Sequence, residues 1–274
     1  MERSRIAWIG GAVAAAALVA LAIACATVPV PGRRQLDLIP DGELNAMSLQ
    51  QYDQFLKQHK PGRNPADEEL VRRVGGRIAG AVERYFAGKG NAQQVRGYKW
   101  EFHVVESKEA NAWCMPGGKV VVYTGILPLT RDETGLAVVL GHEISHAVAK
   151  HGAERMSQGL LAQLGGAALS AALADRPAET RDLFLTAYGA GVEVGALLPY
   201  SRLHESEADE LGLVFMALAG YDPRRAVPFW EEMKRAQGSG GPPAFLSTHP
   251  SSDERVRNIR NFLPKALKYY HPQP

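Results

Sequence analysis

Cysteine is nearly missing: Cys25 and Cys114 are too few for a disulfide framework. An excess of one charge is missing too. With 31 Lys and Arg against 29 Asp and Glu, the net charge is +2, so the basic stripe of most nucleic-acid binders is absent and no nucleic acid is expected as a partner. No internal repeat is visible. There is no Gly-x-Ser-x-Gly elbow and no basic channel, so an esterase or nuclease site fits poorly. What is present, 46% hydrophobic and 22% charged residues in a chain of 274, is ordinary globular composition. It suffices for a sizeable core and one or two domains.

The start of the chain is the exception. Arg3 and Arg5 precede an apolar, Ala-rich run over 6–24, and Ala22-Ile23-Ala24 is followed at once by Cys25. This is a signal-peptide layout, and Leu21 to Cys25 resembles a bacterial lipobox in which Cys25 carries lipid. Two other readings stay open: simple cleavage after Ala24, or an uncleaved anchor, since about nineteen apolar residues can just span a bilayer. All three place the rest of the chain outside the cytoplasm. Ala26, where lipoprotein sorting would read Asp as a retention signal, favours the outer membrane. The expectation is a signal peptide over 1–24, a lipidated, extended tether over 25–40, and a single domain over 41–274. A lipidated Cys25 would leave Cys114 as a free thiol.

The chain is organised around Gly141-His142-Glu143-Ile144-Ser145-His146. On a helix, residues four apart share a face, so His142 and His146 can hold one metal ion and Glu143 can reach a water on it. Thr130 and Glu133 form a Thr-x-x-Glu capping box, and the apolar run 135–140 predicts a buried helix. The bland reading is a pair of hydrogen-bonded histidines on an ordinary helix.

Around the motif, residues 43–57 have loose helical spacing. Asn64-Pro65 with Asp67 and Glu68 opens a better helix, with Leu70, Val74, Ile78, Val82 and Tyr85 on one face. Residues 98–105 and 119–124 read as strands. The Gly/Ala/Leu-rich run 158–174 reads as a packed helix or a flap over the site rather than a membrane insertion. Residues 181–198 are apolar with a few charges. Residues 201–220 and 223–235 read as helices, 237–243 as a loop, and 253–270 as a basic, partly apolar helix interrupted at Pro264.

Catalytic zinc takes three protein ligands and leaves one open position. The metzincin continuation fails, because its Gly and His positions are Ala149 and Gly152. His151, nine residues past His142, falls about half a turn off the ligand face and reads as a surface or supporting group. The best candidate is Glu205. Asp209, four residues on, could accept the spare N–H of a ligating His, and small Ala208 would let two helices approach. Equally, Glu205, Glu207, Asp209 and Glu210 could be a solvated acidic face.

Taken together, His142-Glu143-x-x-His146 and Ser201-Arg202-x-x-Glu205-x-x-Ala208-Asp209 resemble the gluzincin metallopeptidases of the CAAX prenyl protease and HtpX type. Asn111-Ala112-Trp113-Cys114-Met115-Pro116-Gly117-Gly118 resembles that family's Asn-Ala-x-x-x-Pro-Gly-Gly segment. Thr248-His249-Pro250 with Arg255 resembles the Thr-His-Pro and Arg segment of the periplasmic BepA-like and LoiP-like lipoprotein branch. The match runs from about residue 40 to 265. It implies an α+β, mainly α-helical, zincin-like metallopeptidase domain with a small β-sheet beside the active-site helix. It also implies one Zn²⁺ per chain on His142, His146 and Glu205, with Glu143 as general base. Asp209, His249 and Arg255 become supporting or regulatory groups; in BepA-like proteins the matching His can be a fourth zinc ligand that holds the enzyme off. Residues Asn111, Ala112, Trp113, Cys114 and Met115 become an edge strand that pairs with an extended substrate.

The resulting expectation is a zinc endopeptidase cleaving unfolded or misassembled envelope proteins. It would sit on the periplasmic side as an outer-membrane lipoprotein held through Cys25, with outer-membrane assembly machinery as a possible partner. The alternative is an assembly chaperone that binds outer-membrane proteins and keeps a largely silent, autoinhibited zinc site.

Overall fold

The computed structural model describes residues 25–30, 32–172, 202–236 and 244–272, in two compact units. Residues 25–40 and 152–172 form the smaller; residues 41–151 and 202–272 form the larger. The leader over 1–24, the apolar stretch 181–198 and the loop 237–243 lie outside the described residues.

In the smaller unit, strands β1 (Cys25–Thr27) and β2 (Arg34–Leu36) pair antiparallel, with Cys25 opposite Leu36. The expected extended tether is therefore a short hairpin. Arg33 grips Glu154 with both guanidinium nitrogens at 2.8 and 2.7 Å, and Leu38 N donates to Ser157 Oγ at 3.0 Å.

The larger unit opens with helices α1 (Asp41–Gln58) and α2 (Pro65–Gly88). Asn64 caps α2 by accepting from Ala66 N at 3.2 Å, with Pro65 at its first position and Asp67 and Glu68 beside its positive end. The buried face is Val71, Val74, Ile78, Val82 and Phe86. It lies one residue past the predicted stripe at both ends, because Leu70 and Tyr85 are only half-buried.

A three-stranded sheet follows, in the order β3-β5-β4. Strand β3 (Glu101–Val105) runs parallel to β5 (Lys119–Tyr123), and β4 (Ala112–Met115) runs antiparallel to β5, so β4 is the edge. The first strand starts at Glu101 rather than at 98. Every residue of central β5 is buried; its Lys119 ammonium is satisfied by Glu101 and by the carbonyl of Lys99 at 2.9 Å. Gly117 and Gly118 both have positive φ, 84° and 86°, as the tight β4–β5 turn requires.

Helix α3 (Glu133–Val148) carries the His-Glu-x-x-His motif and is buried from Gly135 onward, as its apolar sequence requires. Its cap differs from the predicted Thr130 box. Asp132 is the N-cap and accepts from Gly135 N at 2.7 Å, while Thr130 closes the preceding helical turn Leu127–Thr130. Helix α3 stops at Val148; Lys150, two residues on, has φ +56°, and α4 (His151–Ala172) starts immediately after it. The remaining helices are α5 (Arg202–Leu218), α6 (Ala226–Ala236) and α7 (Asp253–Ala266), with a short turn at Ala244–Thr248. Pro264 sits inside α7 without interrupting it. It falls in the last turn, where its missing N–H removes one bond near an end that already frays.

The fold is thus mainly helical with one small sheet beside the motif helix. Among the described residues, no helix is long and apolar enough to cross a membrane.

Candidate metal centre

Helices α3 and α5 bring the motif and the acidic segment together. The two backbones come close at Gly141, where a Cβ would lie 3.0 Å from Gly212 O. It is this glycine pair, rather than Ala208 alone, that allows the approach. The acidic residues are not a solvated face: Glu205, Glu207 and Asp209 are all buried.

Four ligand atoms, from His142, His146, Glu205 and His249, lie within 4.8 Å of one another. His142 Nε2 is 3.1 Å from His146 Nε2 and 3.4 Å from Glu205 Oε2; His146 Nε2 is 3.3 Å from Glu205 Oε1. His249 comes in on the turn after Ala244–Thr248, whose Phe245 N donates to the Ala110 carbonyl at 2.9 Å just before β4. Its Nδ1 is 3.1 Å from His142 Nε2 and 3.0 Å from Glu205 Oε1, and its Nε2 is 3.5 Å from Glu143 Oε1.

This donor set fits zinc. His142 Nδ1 donates to Asp209 Oδ1 at 3.0 Å, which leaves its Nε2 lone pair facing that of His146 in a buried site. A cation between them relieves that repulsion. Tetrahedral zinc with ligands at about 2.0–2.1 Å holds those ligands roughly 3.3 Å apart, close to the separations observed. The cluster could therefore hold one zinc ion.

Arg255 locks the far side. Ser252 caps α7 by accepting from Arg255 N at 3.1 Å. The Arg255 guanidinium reaches Asp209 through Nε and Nη2, both at 2.8 Å, and Glu205 Oε2 through Nη1 at 3.0 Å. It lies 3.3 Å above the centre of the Trp230 ring. Burial opposes ionisation of Asp209, but Arg255 and His142 outweigh it and hold the carboxyl below its usual range. Glu205 is likewise held well below: burial raises it, and the charge and hydrogen bonds of His142, then those of His146 and His249, lower it further than that. Glu143 goes the other way. Burial, helped by Glu205 and opposed by His249 and Arg255, pushes it up to about 7, the range suited to a group that exchanges protons at neutral pH.

Of the two readings of His151, surface or supporting group, the structure gives the second: it is fully buried, with Nδ1 2.9 Å from His146 Nδ1 and Nε2 3.1 Å from Glu207 Oε2. Extrapolating α3 past Val148 would leave the ring half a turn off the ligand face; the left-handed backbone at Lys150 instead returns it to the motif. Asn111 precedes β4, and Ala112, Trp113, Cys114 and Met115 make up that edge strand. Cys114 is a free, half-buried thiol, raised well above its ordinary value by burial and by Glu143.

The family model of peptidase family M48 matches residues 76–263, spanning the sheet, both site helices and the Arg255 helix. The chain belongs to peptidase family M48. It is 35% identical to the mitochondrial metalloendopeptidase OMA1 of Schizosaccharomyces pombe over 96% of this chain and 73% of that protein. It is 31% identical to the human mitochondrial metalloendopeptidase OMA1 over 88% of this chain and 46% of that one. It is 32% identical to the β-barrel assembly-enhancing protease of Escherichia coli over 59% and 34%. This chain thus spans about half or less of the human and bacterial relatives.

Membership makes this M48 protein a metalloendopeptidase with polypeptides as substrates. The finer placing in the CAAX protease, HtpX or LoiP-like branches is not singled out by these relatives. The expected periplasmic, outer-membrane lipoprotein location is overturned: the relatives matching most of the chain are named mitochondrial, and the bacterial one matches little more than half. That expectation rested on the leader pattern and on the resemblance to the periplasmic lipoprotein branch. The lipid anchor on Cys25 and the outer-membrane assembly machinery likewise find no support among these relatives.

Proposed function

We propose that the chain is a zinc endopeptidase acting on unfolded or extended polypeptide, with His142, His146 and Glu205 as metal ligands and Glu143 as general base. The observation that carries this reading is the convergence of two imidazoles and one carboxylate on a point beside a buried carboxyl whose pKa is about 7. When bound, zinc supplies Lewis-acid polarisation of the scissile carbonyl and acidifies water. Glu143 takes the proton of the attacking water and delivers it to the departing amine. Asp209 holds His142 in the tautomer that leaves Nε2 free. Edge strand β4 pairs with the backbone of the substrate, which makes sequence preference loose and extended chain necessary.

His249 supports a resting, closed form of the same site, since its Nδ1 lies at the position of a fourth ligand. That geometry also favours a second reading, a binding protein for unfolded chains with a largely silent zinc site. Cleavage of unfolded casein with and without chelator, by the native protein and by Glu143→Gln, separates the two. Chelator-sensitive cleavage lost in Glu143→Gln supports the peptidase. Binding without cleavage supports the second reading, and full activity in Glu143→Gln sinks the scheme. The name of the bacterial relative, a β-barrel assembly-enhancing protease, makes β-barrel proteins a class to include among the substrates tested.

A further inference from the structure

Three carboxylates on helix α5 surround the motif: Glu205, Glu207 and Asp209. Glu205 points at the metal position and Asp209 accepts directly from His142. Glu207 reaches the ligand cluster through a second ring. Its Oε2 lies 3.1 Å from His151 Nε2, and His151 Nδ1 lies 2.9 Å from His146 Nδ1. We propose that His151, held by Glu207, is a positioning residue that fixes the tautomer and ring plane of the zinc ligand His146. The proposal rests on the zinc reading above and extends it to a residue that binds no metal itself.

The direction of each hydrogen bond follows from the first. His146 presents Nε2 to the metal position, so its proton is on Nδ1. That N–H can only donate, and the atom it meets, His151 Nδ1, must accept. A neutral His151 accepting at Nδ1 carries its own proton on Nε2, which donates to the Glu207 carboxylate. In this arrangement each ring nitrogen of the line has one matched partner. Bonds aligned in this way polarise one another, so the carboxylate raises the electron density at His146 Nε2 from two rings away.

The surroundings hold the relay rigid. His151 is fully buried, and the His204 ring stacks on it at 4.5 Å and 18°. Lys150 adopts φ +56°, a left-handed conformation that a non-glycine residue rarely takes, and that bend brings His151 back to His146. The two zinc-binding imidazoles thus reach a carboxylate of one helix by different routes, His142 directly and His146 through a second ring.

The test measures zinc affinity of the full chain by competition with a chromophoric chelator, with the far-UV spectrum and the unfolding temperature of the metal-free protein as controls. His151→Phe keeps a ring but removes the acceptor. His151→Asn puts an amide oxygen near the Nδ1 position. Glu207→Gln keeps the shape and removes the charge. We expect His151→Phe to weaken zinc binding by about 10–100-fold, the usual range for lost outer-sphere partners. His151→Asn should recover most of that loss and Glu207→Gln should fall between, with the metal-free unfolding temperature of Glu207→Gln near the native one. Native zinc affinity in a folded His151→Phe or Glu207→Gln protein overturns the proposal. If His151→Phe does not fold, Glu207→Gln and His151→Asn decide. Should the unmodified protein itself take up no zinc, the metal reading fails beneath it, a result distinct from unchanged affinity among the variants.

Discussion

Gly141 and Gly212 meet backbone to backbone where α3 and α5 cross: a Cβ on Gly212 would lie 2.9 Å from the carbonyl carbon of Gly141. Gly141 precedes the first zinc-site histidine, and Glu205 lies two helical turns before Gly212. The distance between the two halves of the metal centre is therefore set by two absent side chains. Gly212→Ala should force the helices apart, destabilise the protein by about 1–3 kcal/mol, and weaken zinc binding as Glu205 moves off the imidazoles. Urea unfolding and chelator competition measure both, and native values in both would show that this contact does not set the site.

His249 should be a brake. With its Nδ1 3.0 Å from Glu205 Oε1 and 3.1 Å from His142 Nε2, it occupies space the attacking water needs. If the open form is about a tenth of the population, its removal raises basal turnover roughly tenfold. Initial rates of casein cleavage by His249→Ala against the native protein are the measurement. No change, or a fall, would assign His249 a structural or transition-state role.

The pKa of Glu143 carries a stability consequence. Its folded value is raised from 4.5 to about 7, chiefly by burial. A raised carboxyl leaves stability intact below about 4.5 and removes it as pH climbs through 7, because the folded state must then hold a buried charge. The loss is on the order of 3 kcal/mol. In metal-free protein, Glu143→Gln should raise the unfolding temperature by several degrees at pH 8 and hardly at all at pH 4.5. An equal effect at both values would mean that Glu143 is not raised.

Which parts of this site were readable without coordinates depended on how local the rule was. His142 and His146 follow from four-residue spacing within one helix, and α2 from an Asn-Pro start with acidic residues behind it; Glu205 and Asp209 share that spacing, but only the resemblance to the metallopeptidases set them apart from a solvated acidic face. For His151 the choice between surface and supporting group needed coordinates, because a non-glycine residue, Lys150, takes the left-handed conformation, which spacing rules assign to glycine. The Thr130 cap was displaced by Asp132, an equally good capping residue two positions on. Gly212 carried no signal by itself; only its partner, Gly141, beside the motif, could have suggested a close crossing. The location failed for a different reason: a leader pattern reports on targeting, and a shared site motif such as Thr248-His249-Pro250 reports on chemistry, so neither fixes the compartment.

Arg255 shares Glu205 Oε2 with the metal position, at 3.0 Å from Nη1, while also pairing with Asp209. All three side chains are buried. Arg255→Met would keep the stem against Trp230 and remove the charge, leaving Asp209 and Glu205 short of positive partners. Breaking a buried pair in this way costs about 3–5 kcal/mol, so the urea midpoint of metal-free protein should drop sharply. Zinc supplies two positive charges beside Glu205, so it should restore part of the loss, and the zinc-induced rise in midpoint should be larger in Arg255→Met than in the native chain. An equal rise in both proteins would show that Arg255 and the metal do not share the charge of Glu205, and that Arg255 serves Asp209 alone.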